Sequence, residues 1–346
     1  MTAEPIVEGF AIETVEHLIF SVKGVQQPPE RVIAYLRYLP DPGGDRRREG
    51  LTFRRVYHFE EQVRLLRSRY PAYLYYDPVL GLEVQSVPRA RISTVHDPRA
   101  YLDRLRRQGS DDPVEQDALA LAQHLQQAAG VPWSSLGISG SVMLATHRPD
   151  SDLDLLIYGP ANGKALYQAL AELFEEAAGP VRQLTVDELR ALHATHRPDT
   201  PLSFHDFCRA QRHKVNEGCF RQRPFFVRFV KQLRPRERYG ERRYQSVGRA
   251  TLQATVCEDS DAIFTPCRYG LEYVTWLEGP PVEDLREIVS FRGRFSDQVR
   301  AGEVAQGCGN VERVVSNSDQ AYHRLVVGGQ AGDYLLAVEG DRAGHS

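Results

Sequence analysis

Residues 137–159 read GISGSVMLATHRPDSDLDLLIYG, and the order of residue types in this stretch decides what the chain is built around. A short apolar strand over Leu136–Ser139 runs into Gly140-Ser141. Glycine there permits close backbone approach, while the serine hydroxyl and neighbouring amides can hold phosphate oxygens. A brief helix and a polar turn (RPDS, 148–151) then lead into a second strand, Leu153–Tyr158. Asp152 and Asp154 stand two positions apart where that strand starts. Alternation aims both carboxylates at one face, about 7 Å apart along the backbone. Magnesium takes carboxylate, phosphate and water, and paired catalytic metals sit roughly 3.5–4 Å apart, so such a pair can share one or two Mg2+ ions. Acids also gather in ordinary polar turns. The Gly-Ser pair and the apolar strand on either side give these two their chemical reading.

An apolar strand, Gly-Ser, ten residues, then Asp-Leu-Asp followed by LLIY resembles the DNA polymerase beta nucleotidyltransferase superfamily. The resemblance covers roughly 115–232, and its motif some twenty residues. It implies that Gly140 and Ser141 hold a nucleoside triphosphate. It also implies that Asp152 and Asp154 bind Mg2+ and carry catalysis, passing a nucleoside monophosphate from that nucleotide to an acceptor. That family usually adds a third carboxylate from a neighbouring strand. Here the natural strand, Pro224–Gln232, contains no acid and carries Arg228 in its middle. Asp150 belongs to the turn and Asp206 to an expected helix, so the third role stays unassigned. Two readings stay open: an active nucleotidyltransferase, or a catalytically reduced relative that binds nucleotide or nucleic acid. Lys214 and Arg228 are the cations expected near phosphate, from their nearness in sequence to the third strand. Alternation puts Arg228 on one face with Phe226 and Val230, and Phe225, Val227 and Phe229 on the other.

Outward from the motif, Asp112, Pro113 and Glu115 predict a helix start, and Val114, Ala118, Leu121 and Leu125 an apolar stripe that Gly130 ends. An amphipathic helix is expected over about 164–178, a capping box at Thr185 and Glu188, and a further helix over roughly 204–217. Toward the N-terminus, IFSVKG (19–24), RVIAYLRYL (31–39) and LTFRRVYHF (51–59) are rich in β-branched and aromatic residues, with turn residues DPGGD (41–45) between the last two. Helices are expected near 59–69 and 98–107. Beyond about 245, short strands broken by Gly and Pro suggest a small barrel or sandwich. The expected fold class is therefore α/β (α+β): a nucleotidyltransferase core with a mixed sheet and flanking helices, between two β-rich domains. The domains are read as 1–107, 112–244 and 245–340.

A chain of 346 residues with a formal charge of -3 has no overall pull toward nucleic acid or anionic membrane. Between Arg209 and Arg249, however, thirteen Lys or Arg face three Glu, and Phe225, Phe226, Tyr239 and Tyr244 interleave with them. Such a segment can neutralise a triphosphate or a nucleic-acid backbone, or simply be a solvated surface. The expected partners are thus a nucleoside triphosphate and, through 209–249, nucleic acid. No stretch approaches the ~20 apolar residues of a membrane span, and the start MTAEPIVEGF has no secretory pattern. The five cysteines are widely spaced without a CxxC pair, so reduced thiols and a cytoplasmic location are expected. GPANGK (159–164) is one residue short of a P-loop and reads as a loop starting a helix. His193, His196, His205 and His213 have no acid or cysteine at a metal-binding spacing.

Overall fold

A computed structural model describes residues 5–176, 179–196, 198–231, 238–318 and 320–338. The described residues fall into two units, drawn from 1–78, 82–182 and 217–239 and from 79–81, 183–216 and 240–346.

In the first unit, the apolar and aromatic stretches of the N-terminal region form β1 (Ala11–Thr14), β2 (Ile19–Val22), β3 (Arg31–Pro40), β4 (Arg46–Arg48), β5 (Leu51–Arg55), β6 (Leu74–Asp77), β7 (Leu82–Pro88) and β8 (Ile92–His96). They pair in the order β4-β5-β3-β2-β1-β8, with β7 also on β3 and β6 on β7. The turn after β3 is fixed by Asp41, whose Oδ1 accepts Gly43 N at 2.9 Å. Helices α1 (Phe59–Arg69) and α2 (Pro98–Gln108) follow β5 and β8. Helix α3 (Pro113–Ala129) begins where its cap signature predicts: Asp112 Oδ1 accepts Val114 N at 2.8 Å and Glu115 N at 3.1 Å. It ends at Gly130, in the left-handed region.

The second sheet of this unit contains β9 (Leu136–Ile138), β10 (Leu153–Tyr158), β11 (Val181–Arg182), β12 (Glu217–Phe220) and β13 (Arg223–Val230), with α4 (Gly140–Met143) after β9 and α5 (Pro160–Glu175) after β10. The order is β11-β12-β13-β10-β9, and β10 runs parallel to β13 and antiparallel to β9. Covering both faces of β10 explains why LLIY is an unbroken apolar run. On one side Phe225 stacks on Phe174 and Phe229 meets Tyr167 edge-on, both partners belonging to α5. On the other, Leu156, Tyr158 and Val230 join Val7, Phe10, Ile12, Phe20, Leu36 and Leu39 in one core. The N-terminal sheet and the motif strands therefore share a single apolar interior.

The second unit carries α6 (Val186–His196) and α7 (Phe204–Gln211), then β14 (Arg242–Asp261), β15 (Phe264–Thr265), β16 (Cys267–Glu278), β17 (Leu285–Ser290), β18 (Val304–Ser316), β19 (Ala321–Val326) and β20 (Tyr334–Val338). Strands pair in the order β14-β16-β17-β19-β18, and β14 pairs β18 as well, which closes the ring into a barrel; β17 and β19 are its parallel pair. Closure leaves these five strands no free edge along the paired stretches. Inside one ladder Glu312 stands opposite Arg324, and the two form a buried ion pair at 2.8 Å beneath the Tyr244 ring.

The expected α/β class, built on a nucleotidyltransferase core of helices and mixed sheet, is corrected by this architecture. The described residues are sheet-rich, 40% strand against 28% helix, in three sheets with seven helices. The physical reason lies in pairings that no local window contains. Ladders such as β14 with β18 join residues some fifty or more apart, and extend strands well past their local β signals. The helix expected over 204–217 likewise stops at Gln211. Asn216 Nδ2 donates to Ser296 Oγ at 3.0 Å, a distant partner that holds the following residues out of helix. Among the described residues no helix is long and apolar enough to cross a membrane.

Leu156 is fully buried in the core shared by the first unit's sheets. Leu156→Ala is expected to lower unfolding free energy by about 2–5 kcal/mol, read by urea titration. A loss below about 1 kcal/mol would mean that the two sheets do not share this interior.

Candidate active site

Strand β9 delivers the Gly-Ser pair beside the acids. Leu155 pairs with Ile138, and Ser139 N donates to Asp154 O at 2.8 Å. Gly140 then turns at φ 62°, and a Cβ there would lie 2.9 Å from Asp154 Cγ and closer still to Oδ2. Only glycine lets the Asp154 carboxylate occupy its position. Ser141, 7% exposed, is the second residue of α4, and its carbonyl accepts Thr146 N at 2.9 Å. Asp152 is exposed and Asp154 part-buried at the mouth of the covered strand. Gly140, Ser141 and Asp154 are therefore gathered, with Asp152 at their rim.

The parallel register sets Asp154 against Phe226 and Leu156 against Arg228, so Arg228 shares the face of Asp154. Its Nη1 pairs with Glu8 Oε1 at 3.2 Å, and its guanidinium lies over the Phe226 ring. Glu8, only 1% exposed, also accepts Lys23 Nζ at 3.2 Å and Gly24 N at 2.7 Å. Two further arginines come from the N-terminal sheet. Ile19 pairs with Tyr38 and Phe20 with Leu36, leaving Arg37 as the extra residue of a β-bulge. A bulge turns its strand and re-aims side chains. Arg55 closes β5 opposite Tyr38 and stacks on the Tyr57 ring at 4.3 Å.

These charges act on one another. Burial, and next the neighbouring charge of Asp152, push the Asp154 carboxyl up to about 6, against the pull of Arg228, Arg55 and Arg37. Burial works against the charge of Arg55, but Tyr38, Tyr57, Asp152 and Asp154 outweigh it and its pKa is raised. Lys23 is lowered to about 8 by burial, opposed by Glu8 and reinforced by Arg228 and Arg37.

Lys214, the other expected phosphate cation, belongs to the second unit, where it is buried and its Nζ donates to Arg294 O at 2.7 Å. Asp150 is exposed beside Arg148, and Asp206 in the second unit accepts Ser203 Oγ. Among the described residues no three or more His, Cys, Asp or Glu side chains gather into a metal-holding group. The basic segment 209–249 is divided between the units. Arg234 and Arg236 lie outside the described residues. Several of the others are engaged: Arg221 and Arg223 with Asp117, and Tyr239 with Asp77. Sequence reading missed Glu8, Lys23, Arg37 and Arg55. The one local signal was a cation in the middle of RVIAYLRYL, where alternation into a core would call for an apolar residue.

A carboxyl raised above its unfolded value of about 3.9 holds its proton more tightly in the folded chain. The stability it contributes is present at low pH and lost as pH rises through about 6. Asp154→Asn is therefore expected to flatten that part of the profile and to exceed wild type at pH 7 by on the order of 1–3 kcal/mol in urea titrations. A variant less stable than wild type at pH 7 would show that the surrounding arginines need this carboxylate more than burial penalises it.

Comparison with known proteins sets this geometry beside one relative. No family model matches the chain, and no solved structure matches it. An uncharacterized protein of Methanocaldococcus jannaschii is 27% identical over 327 residues, a span covering 92% of this chain and 94% of that protein.

Proposed function

We propose that the chain transfers a nucleoside monophosphate from a nucleoside triphosphate to an acceptor, in a reaction assisted by Mg2+ at Asp152 and Asp154. The observation that carries this reading is the fit of Gly140 against the Asp154 carboxylate, which joins the Gly-Ser turn and the acid pair into one site. The donor set suits magnesium, which is commonly held by one or two carboxylates and completes its shell with water and substrate phosphates. A part-buried carboxyl that keeps its proton up to about pH 6 beside a second aspartate is one whose charge a cation relieves. When bound, the metal supplies stabilisation of charge on the attacking and leaving oxygens.

The chain's own residues do the rest. Gly140 gives the phosphate chain an approach free of side-chain bulk, and the Ser141 hydroxyl is available to a phosphate oxygen. Asp152 and Asp154 fix the metal. An acceptor hydroxyl oxygen bonds to the α-phosphorus as the bond to pyrophosphate breaks. The electron pair leaves with pyrophosphate and the hydroxyl proton passes to water. Arg228 cannot take that proton, because its guanidinium has no neutral form near pH 7, but it stabilises phosphate charge.

One observation favours a second reading. Arg228 occupies the strand on which a third acid was expected, and no three-acid group forms among the described residues. The same site then binds nucleotide without turnover, and the basic segment 209–249 supplies a nucleic-acid contact.

Incubation with each labelled nucleoside triphosphate, Mg2+ and cellular RNA and protein tests the choice. Transfer of label in wild type, falling about 100-fold or more in Asp152→Asn and Asp154→Asn, is expected for the enzyme. Because metal binding must displace the Asp154 proton, turnover is also expected to rise as pH passes through about 6. Nucleotide binding without label transfer supports the second reading, and equal activity in all three proteins overturns the assignment of the acids.

A further inference from the structure

We infer that Arg37 and Arg55, with Arg228, form a seat for the β- and γ-phosphates of the nucleotide, facing the acid pair from the N-terminal sheet. This assignment rests on the proposed nucleotidyl transfer, and adds to it the residues that hold the outer phosphates of its triphosphate substrate. Arg37 is aimed by the bulge in β3 and is half-buried, between the core residues Leu36 and Tyr38. Its side chain makes no hydrogen bond or ion pair among the described residues, and the guanidinium is held below its ordinary value by burial and by the nearby charge of Arg55. The Arg55 Nε is buried and has no hydrogen-bond partner. Arg228 spends one nitrogen on Glu8.

Half-buried cations of one sign set close together, one of them with a buried donor that has no partner, cost free energy unless an anion joins them. The carboxylates on hand do not balance this group. Glu8 is shared by Lys23 and Arg228. Asp152 and Asp154 are the metal's ligands in the reaction above, and their charge is then neutralised. What remains is a cluster in which Arg228 is paired with Glu8, while Arg37 and Arg55 have no ion-pair partner among the described residues. A planar fork matches a phosphate bidentately, and three of them match a chain of linked phosphates better than a single one. The seat also gives the leaving pyrophosphate a place to develop its charge, a role that acids on the third strand would oppose.

The test uses inorganic tripolyphosphate and the full chain, with EDTA present so that no metal contributes. Calorimetry is expected to register binding to wild type that weakens as salt is raised. Arg37→Gln and Arg55→Gln should each weaken it by roughly 10-fold, as expected for loss of a charge-assisted hydrogen bond. Orthophosphate should bind far more weakly than tripolyphosphate. Asp154→Asn should bind at least as tightly as wild type, because a carboxylate repels the anion. Circular dichroism identifies any variant that fails to fold, and Arg37→Lys and Arg55→Lys then replace it, each expected to retain part of the affinity. Absence of tripolyphosphate binding in both wild type and Asp154→Asn overturns the seat, as does undiminished binding in both folded Gln variants. If binding follows the arginines while no nucleotide label is ever transferred, the seat stands and nucleotidyl transfer falls.

Discussion

The first unit depends on one contact, the Asp154 carboxylate lying where any side chain at position 140 would have to be. That contact exists because β9 and β10 pair antiparallel, with Ser139 N bonded to Asp154 O, so the turn after one strand meets the start of the next. A left-handed glycine follows from it, since no other residue tolerates both the backbone angle and the missing space. Packing beyond the contact serves to hold β10 still. Its two faces are filled by α5 and by the N-terminal core, and only the end bearing Asp152 and Asp154 opens toward solvent.

Charge explains the surroundings of that open end. Two carboxylates there repel one another and lose hydration, which keeps Asp154 protonated to an unusually high pH. Arg228, Arg37 and Arg55 counter this from two different sheets, and Glu8 in turn restrains Arg228 and Lys23 from beneath. The result is a site poised between excess negative charge at the acids and excess positive charge just behind them. In the proposed reaction, a cation on the first and a phosphate chain on the second would neutralise both at once. Neither ligand alone does so, which is the physical argument for a metal–nucleotide pair as the natural occupant.

Legibility in the sequence followed locality. Gly140, Ser141, Asp152 and Asp154 are contained in fifteen residues, and strand alternation with one turn is enough to bring them together. The cap at Asp112 and the end at Gly130 are equally local and equally readable. Arg37 and Arg55 were hidden because a bulge in β3 and the pairing of Tyr38 with Arg55 bring them in from another sheet. Arg228 was visible as an oddity on the third strand, and its side of the strand followed from alternation, but its partner Glu8 lies 220 residues away. The overall class was misjudged for the same reason. Long ladders and barrel closure in the second unit depend on pairings between distant segments, so the weight of strand over helix does not show in any one window.

Metal location is the most direct test of the central claim that Asp152 and Asp154 form a magnesium-dependent centre. Crystals grown with Mn2+ and a non-hydrolysable nucleoside triphosphate should give an anomalous peak about 2.1–2.3 Å from carboxylate oxygens of Asp152 and Asp154 and from phosphate oxygens of the nucleotide. Manganese bound elsewhere with the aspartates bare, or a nucleotide seated in the second unit, would contradict the account.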